Sequence, residues 1–323
     1  MNRPARELPA SPLRVASVQA EAVPGDVAGN ARRAAALAAH AARRGAQVIV
    51  FPELHLCGYD LETIASAPDR AELPADAGGR IADGRLGPLA AAAADHGVTV
   101  LAGAAVRRAD GARANSVLAF DPAGAATAVY DKQHLWHAGE RGLFAPGASG
   151  TVLDAGGWRL GLGICYDMSF PEHGRAAALA GADAYVCPSA YAAGNEYRAA
   201  VYLAARALEN TVYAFFVNAV GGPRRRPCGG GTAVYGPDGA AAARAAGAGE
   251  EVVLADLDPR VLGQVRAYLH MLDECRTSPV APAVPDCDAV RVPDRPAPRR
   301  MPCDDPTTAA QLPVADPGGA PRT

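Results

Sequence analysis

Three residues could supply a base, a cation and a nucleophile, and each stands at the end of an apolar run. Glu53 follows Gln47–Phe51 (QVIVF) and Pro52. Lys132 follows Ala126–Tyr130 in the stretch Tyr130-Asp131-Lys132-Gln133-His134-Leu135. Cys165 ends the run Arg159–Ile164 and opens Cys165-Tyr166-Asp167-Met168-Ser169-Phe170-Pro171-Glu172. A carboxylate at the carboxyl end of a strand lies where α/β folds place their ligands. A thiol at a sharp strand-to-helix junction turns its sulfur outward and the following backbone N–H groups toward a reacting oxygen. Each residue also has a plainer reading: a solvated loop glutamate, a surface lysine, a small buried hydrophobe. For the lysine, composition bears on the choice. Among 31 basic residues Lys132 is the sole lysine. A site that needs a compact ammonium and not a planar guanidinium would keep one in an arginine-rich chain; chance survival on a wet face would look the same.

Other chemistries find less support. His134 and His137 are three apart, but no Cys, Asp or Glu stands at a supporting ligand spacing and there is no C-x-x-C pair, so no metal site is expected. Gly229-Gly230-Gly231 precedes a strand, not a helix, which argues against a phosphate cradle, and no G-x-S-x-G element occurs. Cys57, Cys187, Cys228 and Cys275 read as buried apolar residues, and Cys287 and Cys303 as exposed ones near the C-terminus. An odd number of cysteines, seven, without repeated spacing argues for reduced thiols and a cytoplasmic protein.

The elements that must position these residues alternate. Leu13–Ala20 has the period of a half-buried strand, and Asp26–Arg44 reads as a helix capped by Asp26 and closed by Gly45. Strands follow at Gln47–Phe51, Val98–Val106, Asn115–Phe120, Ala126–Tyr130, Thr151–Leu153, Arg159–Ile164, Ala184–Cys187, Val212–Val220, Thr232–Tyr235 and Glu251–Leu257. Helices are expected near Leu86–His96, Pro171–Ala180 and Glu196–Asn210, and after Pro259. Tight turns mixed with crossovers predict an α/β fold with helices laid on the outer faces of sheets. Residues 1–12 read as a flexible segment and 13–277 as one domain. Residues 278–323, proline-rich and poor in large apolar side chains, read as a tail that is disordered or packed on a partner chain. With a net charge of −3 and no basic stripe, nucleic acid is not an expected partner. No run reaches the roughly 20 apolar residues of a membrane span, and the N-terminus lacks the apolar core of a signal peptide.

In this order, strand-end Glu, then Lys, then Cys, the chain resembles the nitrilase (carbon–nitrogen hydrolase) superfamily. Phe51-Pro52-Glu53-Leu54 with Gly58-Tyr59 is similar to its first motif and Asp131-Lys132-Gln133-His134-Leu135 to its second. Glu140, Phe144, Pro146 and Gly147 resemble the element that follows. Gly163-Ile164-Cys165-Tyr166-Asp167 and Phe170-Pro171-Glu172 are similar to the nucleophile motif, and Arg206–Asn210 and Asn218 to the later helix and strand. The resemblance runs from about Leu13 to Met271. It implies a four-layer α-β-β-α sandwich, no cofactor, and a catalytic set of Glu53, Lys132 and Cys165 supported by Glu140 and the backbone N–H of Tyr166. It also implies substrate contacts among Tyr59, Ser189, Tyr191 and Arg198, and a homodimer or larger assembly. The reaction implied is hydrolysis of a small linear amide or N-carbamoyl compound through a thioester. Cys165-Tyr166-Asp167 resembles the amidase and carbamoylase side more than the nitrilase side. Ser169 departs from the arginine common there, which puts recognition of a charged group by that arginine in doubt. A cysteine acyltransferase that passes the acyl group to an amine is the alternative, and a nitrilase a more distant one.

Overall fold

The computed structural model describes residues 7–223 and 226–277. Two sheets carry the fold. One has eight strands: Glu251–Leu257, Leu13–Gln19, Val48–Val50, Thr99–Arg107, Arg113–Phe120, Ala126–Asp131 and Arg80–Ile81 in spatial order, with Glu72–Pro74 beside Thr99–Arg107. The other has six: Ala241–Arg244, Ala233–Tyr235, Tyr213–Asn218, Ala184–Ser189, Trp158–Leu162 and Thr151–Ala155. Parallel pairs stand at the centre of each, Leu13–Gln19 with Val48–Val50 and Ala184–Ser189 with Tyr213–Asn218, while the outer pairs are antiparallel.

The strands sort their side chains with period two. Val48 and Val50 face Trp158, Leu160, Leu162, Val186 and Phe215 in a layer between the sheets. Ile49 and Phe51 face the opposite way, against Ala31, Ala34 and Ala38 of helix Val27–Arg43. In the second sheet Tyr185, Cys187 and Phe216 meet Leu203 and Ala207 of helix Glu196–Asn210. This is the expected α-β-β-α sandwich. Alanine-rich helices suit it, because a methyl side chain lets a helix lie close on a sheet without forcing large residues off their rotamers.

Local signals agree with the boundaries. The Asp26 side chain accepts from the Gly29 N–H at 2.9 Å and caps the first helix, and Gly97 takes φ +62° at the end of helix Gly87–His96. Several short elements escaped the sequence reading. The stretch expected as loop before Leu86 folds into helices Leu61–Ser66 and Pro68–Ala71 and strands Glu72–Pro74 and Arg80–Ile81. Helices His137–Arg141 and Met271–Thr277 and strand Ala241–Arg244 were likewise not foreseen. None is long enough to display a hydrophobic period. Within the segment expected to be flexible, the Ser11 carbonyl accepts from the Trp158 indole at 2.9 Å. Residues 1–6 of that segment, and the proline-rich tail with Cys287 and Cys303, lie outside the described residues. Among the described residues no helix is long and apolar enough to cross a membrane.

Candidate active site

Glu53 sits on a turn laced to the neighbouring strand. The Leu56 N–H donates to the Gly103 carbonyl at 2.9 Å and the Gly103 N–H to the Pro52 carbonyl at 3.2 Å. A Cβ on Gly103 would lie 2.3 Å from the Leu54 nitrogen, so only glycine permits this approach. Leu54, the next residue along from Glu53, takes the left-handed conformation with φ +51°. Lys132 follows strand Ala126–Asp131 directly, its N–H donating to the Asn115 carbonyl at 2.8 Å.

These turns bring Lys132 between two carboxylates. Its Nζ lies 2.7 Å from Glu53 Oε1 and 2.9 Å from Glu140 Oε2, and all three side chains are wholly buried. A buried ammonium is tolerable only when paired in this way. Glu140 is itself held by the Trp136 N–H at 2.8 Å and the Tyr59 hydroxyl at 2.5 Å. Asn115 Nδ2 donates to Glu53 Oε1 at 2.8 Å. Glu53 Oε1 is therefore doubly engaged, while Oε2 has no hydrogen-bond partner among the described residues. One oxygen is anchored and the other is free to take or give a proton.

Cys165 stands three residues after the end of strand Trp158–Leu162 and opens the 3₁₀ turn Cys165–Ser169. It is one of few non-glycine residues with positive φ, +48°. That conformation is uncommon for a side-chain-bearing residue and worth a functional explanation. Cys165 is half-buried and lines a cleft of about 560 Å³ together with Glu140, Tyr59, Trp136, Tyr166 and Tyr191. Electrostatics couple it to the buried cluster. Removal from water and the negative charges of Glu53 and Glu140 push the thiol well above its ordinary range, and Lys132 pulls the other way. Burial and Glu140 raise Glu53 against the opposing pull of Lys132 and Asn115. Burial works to lower Lys132 but is outweighed by Glu53, Cys165 and Glu140, so it stays protonated. Burial and neighbouring charge thus raise the proton affinity of both the thiol and the Glu53 carboxylate. The groups titrate as one coupled set.

Of the expected substrate contacts, Tyr59, Tyr191 and Arg198 line the cleft. Tyr59 also supports Glu140. Arg198 donates to Asn195 Oδ1 at 3.1 Å and has no carboxylate at ion-pair distance among the described residues, so pairing with Glu196 does not account for it. Ser189 is not brought to the cleft: it is wholly buried and its hydroxyl donates to the Cys187 carbonyl at 3.1 Å. It still belongs to the strand, one residue short of where the chain opens onto the pocket. Ser169 does line the cleft. Asn115, Trp136 and Arg226 were missed from sequence. A buried Asn in the middle of strand Arg113–Phe120 was the one readable signal, since strands are poor in Asn.

Comparison with known proteins agrees with this geometry. The carbon-nitrogen hydrolase family pattern matches residues 14–267. A hydrolase encoded in the pqqF 5' region of Pseudomonas protegens is 33% identical over 269 residues, covering 82% of this chain and 89% of that relative. The deaminated glutathione amidase of Escherichia coli O157:H7 is 30% identical, covering 77% and 92%. A glutamate-to-glutamine mutant of the amidase from Nesterenkonia sp. AN1, solved with acrylamide added at its active-site cysteine, superposes with a TM-score of 0.68 at 30% identity, covering 80% of this chain and 98% of that one. A thiol-dependent hydrolase of amide C–N bonds fits all of these observations, and the chain belongs to the carbon–nitrogen hydrolase family.

Proposed function

We propose that the protein hydrolyses a small linear amide or N-carbamoyl compound, with Cys165 as nucleophile, Glu53 as acid–base group and Lys132 as the cation beside the oxyanion. Glu53 Oε2 takes the thiol proton as the sulfur attacks the carbonyl carbon. Lys132 and the Tyr166 N–H stabilise the oxyanion; one such donor is typically worth about 3 kcal/mol of barrier. Glu53 returns the proton to the departing nitrogen, the C–N bond breaks, and ammonia or an amine leaves a thioester on Cys165. Glu53 then takes a proton from water, whose oxygen attacks the thioester; the C–S bond breaks, Glu53 returns that proton to the sulfur, and the acid departs, carboxylic from an amide and carbamic from a carbamoyl compound. Glu140 keeps Lys132 in place.

The observation that carries this reading is the unpartnered Glu53 Oε2 beside a buried Lys132, in a cluster whose charges bear directly on a thiol that opens to a cleft. The Nesterenkonia amidase supports the cysteine's part in it, since the active-site cysteine of its glutamate-to-glutamine mutant carries the acetamide moiety of fluoroacetamide as a covalent adduct. Arg198 suits a substrate that ends in a carboxylate, which it would hold through paired N–H donors. Exposed Tyr197, Val201 and Leu208 along helix Glu196–Asn210 favour a homodimer or larger assembly. The five described cysteines are unpaired, in keeping with a cytoplasmic protein built on one hydrolase domain over residues 13–277.

The test is a panel of simple amides, ω-amides of dicarboxylic acids, N-carbamoyl amino acids and nitriles, with nitrogen release and acid formation measured together, and added amine acceptors in parallel. Hydrolysis of an amide or carbamoyl compound is expected. Acyl transfer to the amine in preference to water, or turnover of nitriles alone, would overturn the hydrolase reading.

A further inference from the structure

We propose that Tyr130 and His173 are positioning residues for the Cys165 thiol, acting through Asp167 to keep the nucleophile turn in its left-handed conformation. The proposal rests on Cys165 being the nucleophile and adds a device outside the Glu53–Lys132–Glu140 cluster.

The clamp begins at the turn itself. The Ile164 N–H donates to Asp167 Oδ2 at 2.9 Å, and the Asp167 N–H donates back to the Ile164 carbonyl at 3.0 Å. Cys165 and Tyr166 lie inside this reciprocal pair. The remaining capacity of Asp167 is filled from elsewhere in the chain. Oδ1 accepts the His134 N–H and Nδ1–H, each at 2.8 Å. Oδ2 accepts the Tyr130 hydroxyl at 2.6 Å. Burial alone would raise this carboxyl, but the hydrogen bonds it accepts from His134, Tyr130 and Ile164 work against that, and it is held below its ordinary range.

A chain of hydrogen bonds continues outward. Tyr130 gives its proton to Asp167, so its oxygen accepts from His173 Nε2–H at 2.8 Å. His173 Nδ1 then accepts the Tyr185 hydroxyl at 2.9 Å. One neutral tautomer satisfies every partner, and burial favours that neutral form. Tyr185 is fixed in turn. A Cβ on Gly163 would lie 2.2 Å from its hydroxyl, so glycine two residues before the thiol makes room for this contact. The network thus joins helix Pro171–Leu179 and strands Ala126–Asp131 and Ala184–Ser189 to the turn that carries Cys165. Left-handed backbone at a residue with a side chain is strained and persists when its surroundings over-determine it. Here five hydrogen bonds to or from Asp167, those of Ile164, His134 and Tyr130, do so.

The experiment compares His173→Leu, His173→Gln and Tyr130→Phe with the wild type on the best amide of the panel. Glutamine keeps one donor and one acceptor; leucine keeps neither. His173→Leu and Tyr130→Phe are each expected to lower kcat about 10- to 100-fold with KM within about twofold, because an ångström of misplacement costs on that scale. His173→Gln should recover most of the loss. The His173→Leu/Tyr130→Phe double variant should be little worse than either single one, since they cut one chain. Circular dichroism and Tm check folding; if His173→Leu fails to fold, Tyr130→Phe, which loses a single hydroxyl, decides. Wild-type kcat in Tyr130→Phe, a loss carried by KM, or additive losses in the double variant would overturn the proposal. A wild-type protein without turnover would instead overturn the proposed function itself.

Discussion

The two sheets contribute to the cleft in different ways. The first supplies the charges: Glu53 and Lys132 emerge from the ends of its strands, wholly buried, each held by at least two hydrogen bonds. The second supplies the sulfur and the open wall: Cys165 is half-buried on a left-handed turn, and Arg198 Nε on the cleft wall has no hydrogen-bond partner among the described residues. Buried charge demands close pairing, so the first side is fixed by its own electrostatics. The second must admit a ligand, so it is fixed from behind, through Asp167, and left free in front.

That division orders the expected effects. Cys165→Ala or Cys165→Ser should abolish turnover, by about 10⁴-fold or more, while the fold is kept, since either side chain fits the space of the thiol. Steady-state rates with thermal melts check this, and residual wild-type activity would remove the nucleophile from the account. Lys132→Met should damage both properties at once. It leaves two buried carboxylates facing each other without a cation and is expected to cost roughly 3–5 kcal/mol in denaturant melts as well as activity. Lys132→Arg should also be severely impaired although the charge is kept, because the planar fork does not fit a site built for a point cation. A Lys132 variant that lost activity with full stability would blur the contrast between the two sides.

Gly103→Ala is a subtler probe of the first side. The new methyl meets the Leu54 nitrogen, and the turn must move Glu53 with it, so kcat should fall by about tenfold or more with KM little changed. Arg198→Met probes the second side alone. KM for an amide ending in a carboxylate should rise by roughly tenfold or more, the worth of charge-assisted hydrogen bonds, while a neutral amide is unaffected. Equal effects on both substrates would remove the carboxylate contact.

The pH profile joins the two. In the proposed mechanism Glu53 is ionised when it accepts the thiol proton, and its proton affinity is raised by burial and by Glu140. Since a raised carboxyl stays protonated to higher pH, kcat/KM should fall on acidification at a pH above the ordinary glutamate range of about 4.3. A profile flat down to that range would mean that Glu53 is not the base.

The same contrast explains what could be read from the sequence. The layered fold was legible because Val48, Ile49, Val50 and Phe51 form an unbroken apolar run, the mark of a strand buried on both faces, and they do pack into two cores although many of the neighbours are alanine. Glu53, Lys132 and Cys165 were legible because each ends such a run and their order resembles a known set. Short elements such as Leu61–Ser66 and His137–Arg141 were not, since one or two turns show no period. Asn115 was not assigned because its role depends on a partner 62 positions away. Ser189 was misplaced because the sequence does not say at which residue a strand stops being sheet and becomes wall. The Tyr130–His173–Tyr185 chain was invisible for a related reason. It is written in hydroxyl and imidazole positions on three separate elements, none with a local signature.

The most direct test of the account is to quench the protein with acid during turnover of its best amide and map the covalent adduct by mass spectrometry. The account predicts a mass gain equal to the acyl half of the substrate on the peptide that carries Cys165, discharged by hydroxylamine and absent from Cys165→Ala. An acyl group on any other residue, or continued hydrolysis by the alanine variant, would contradict it.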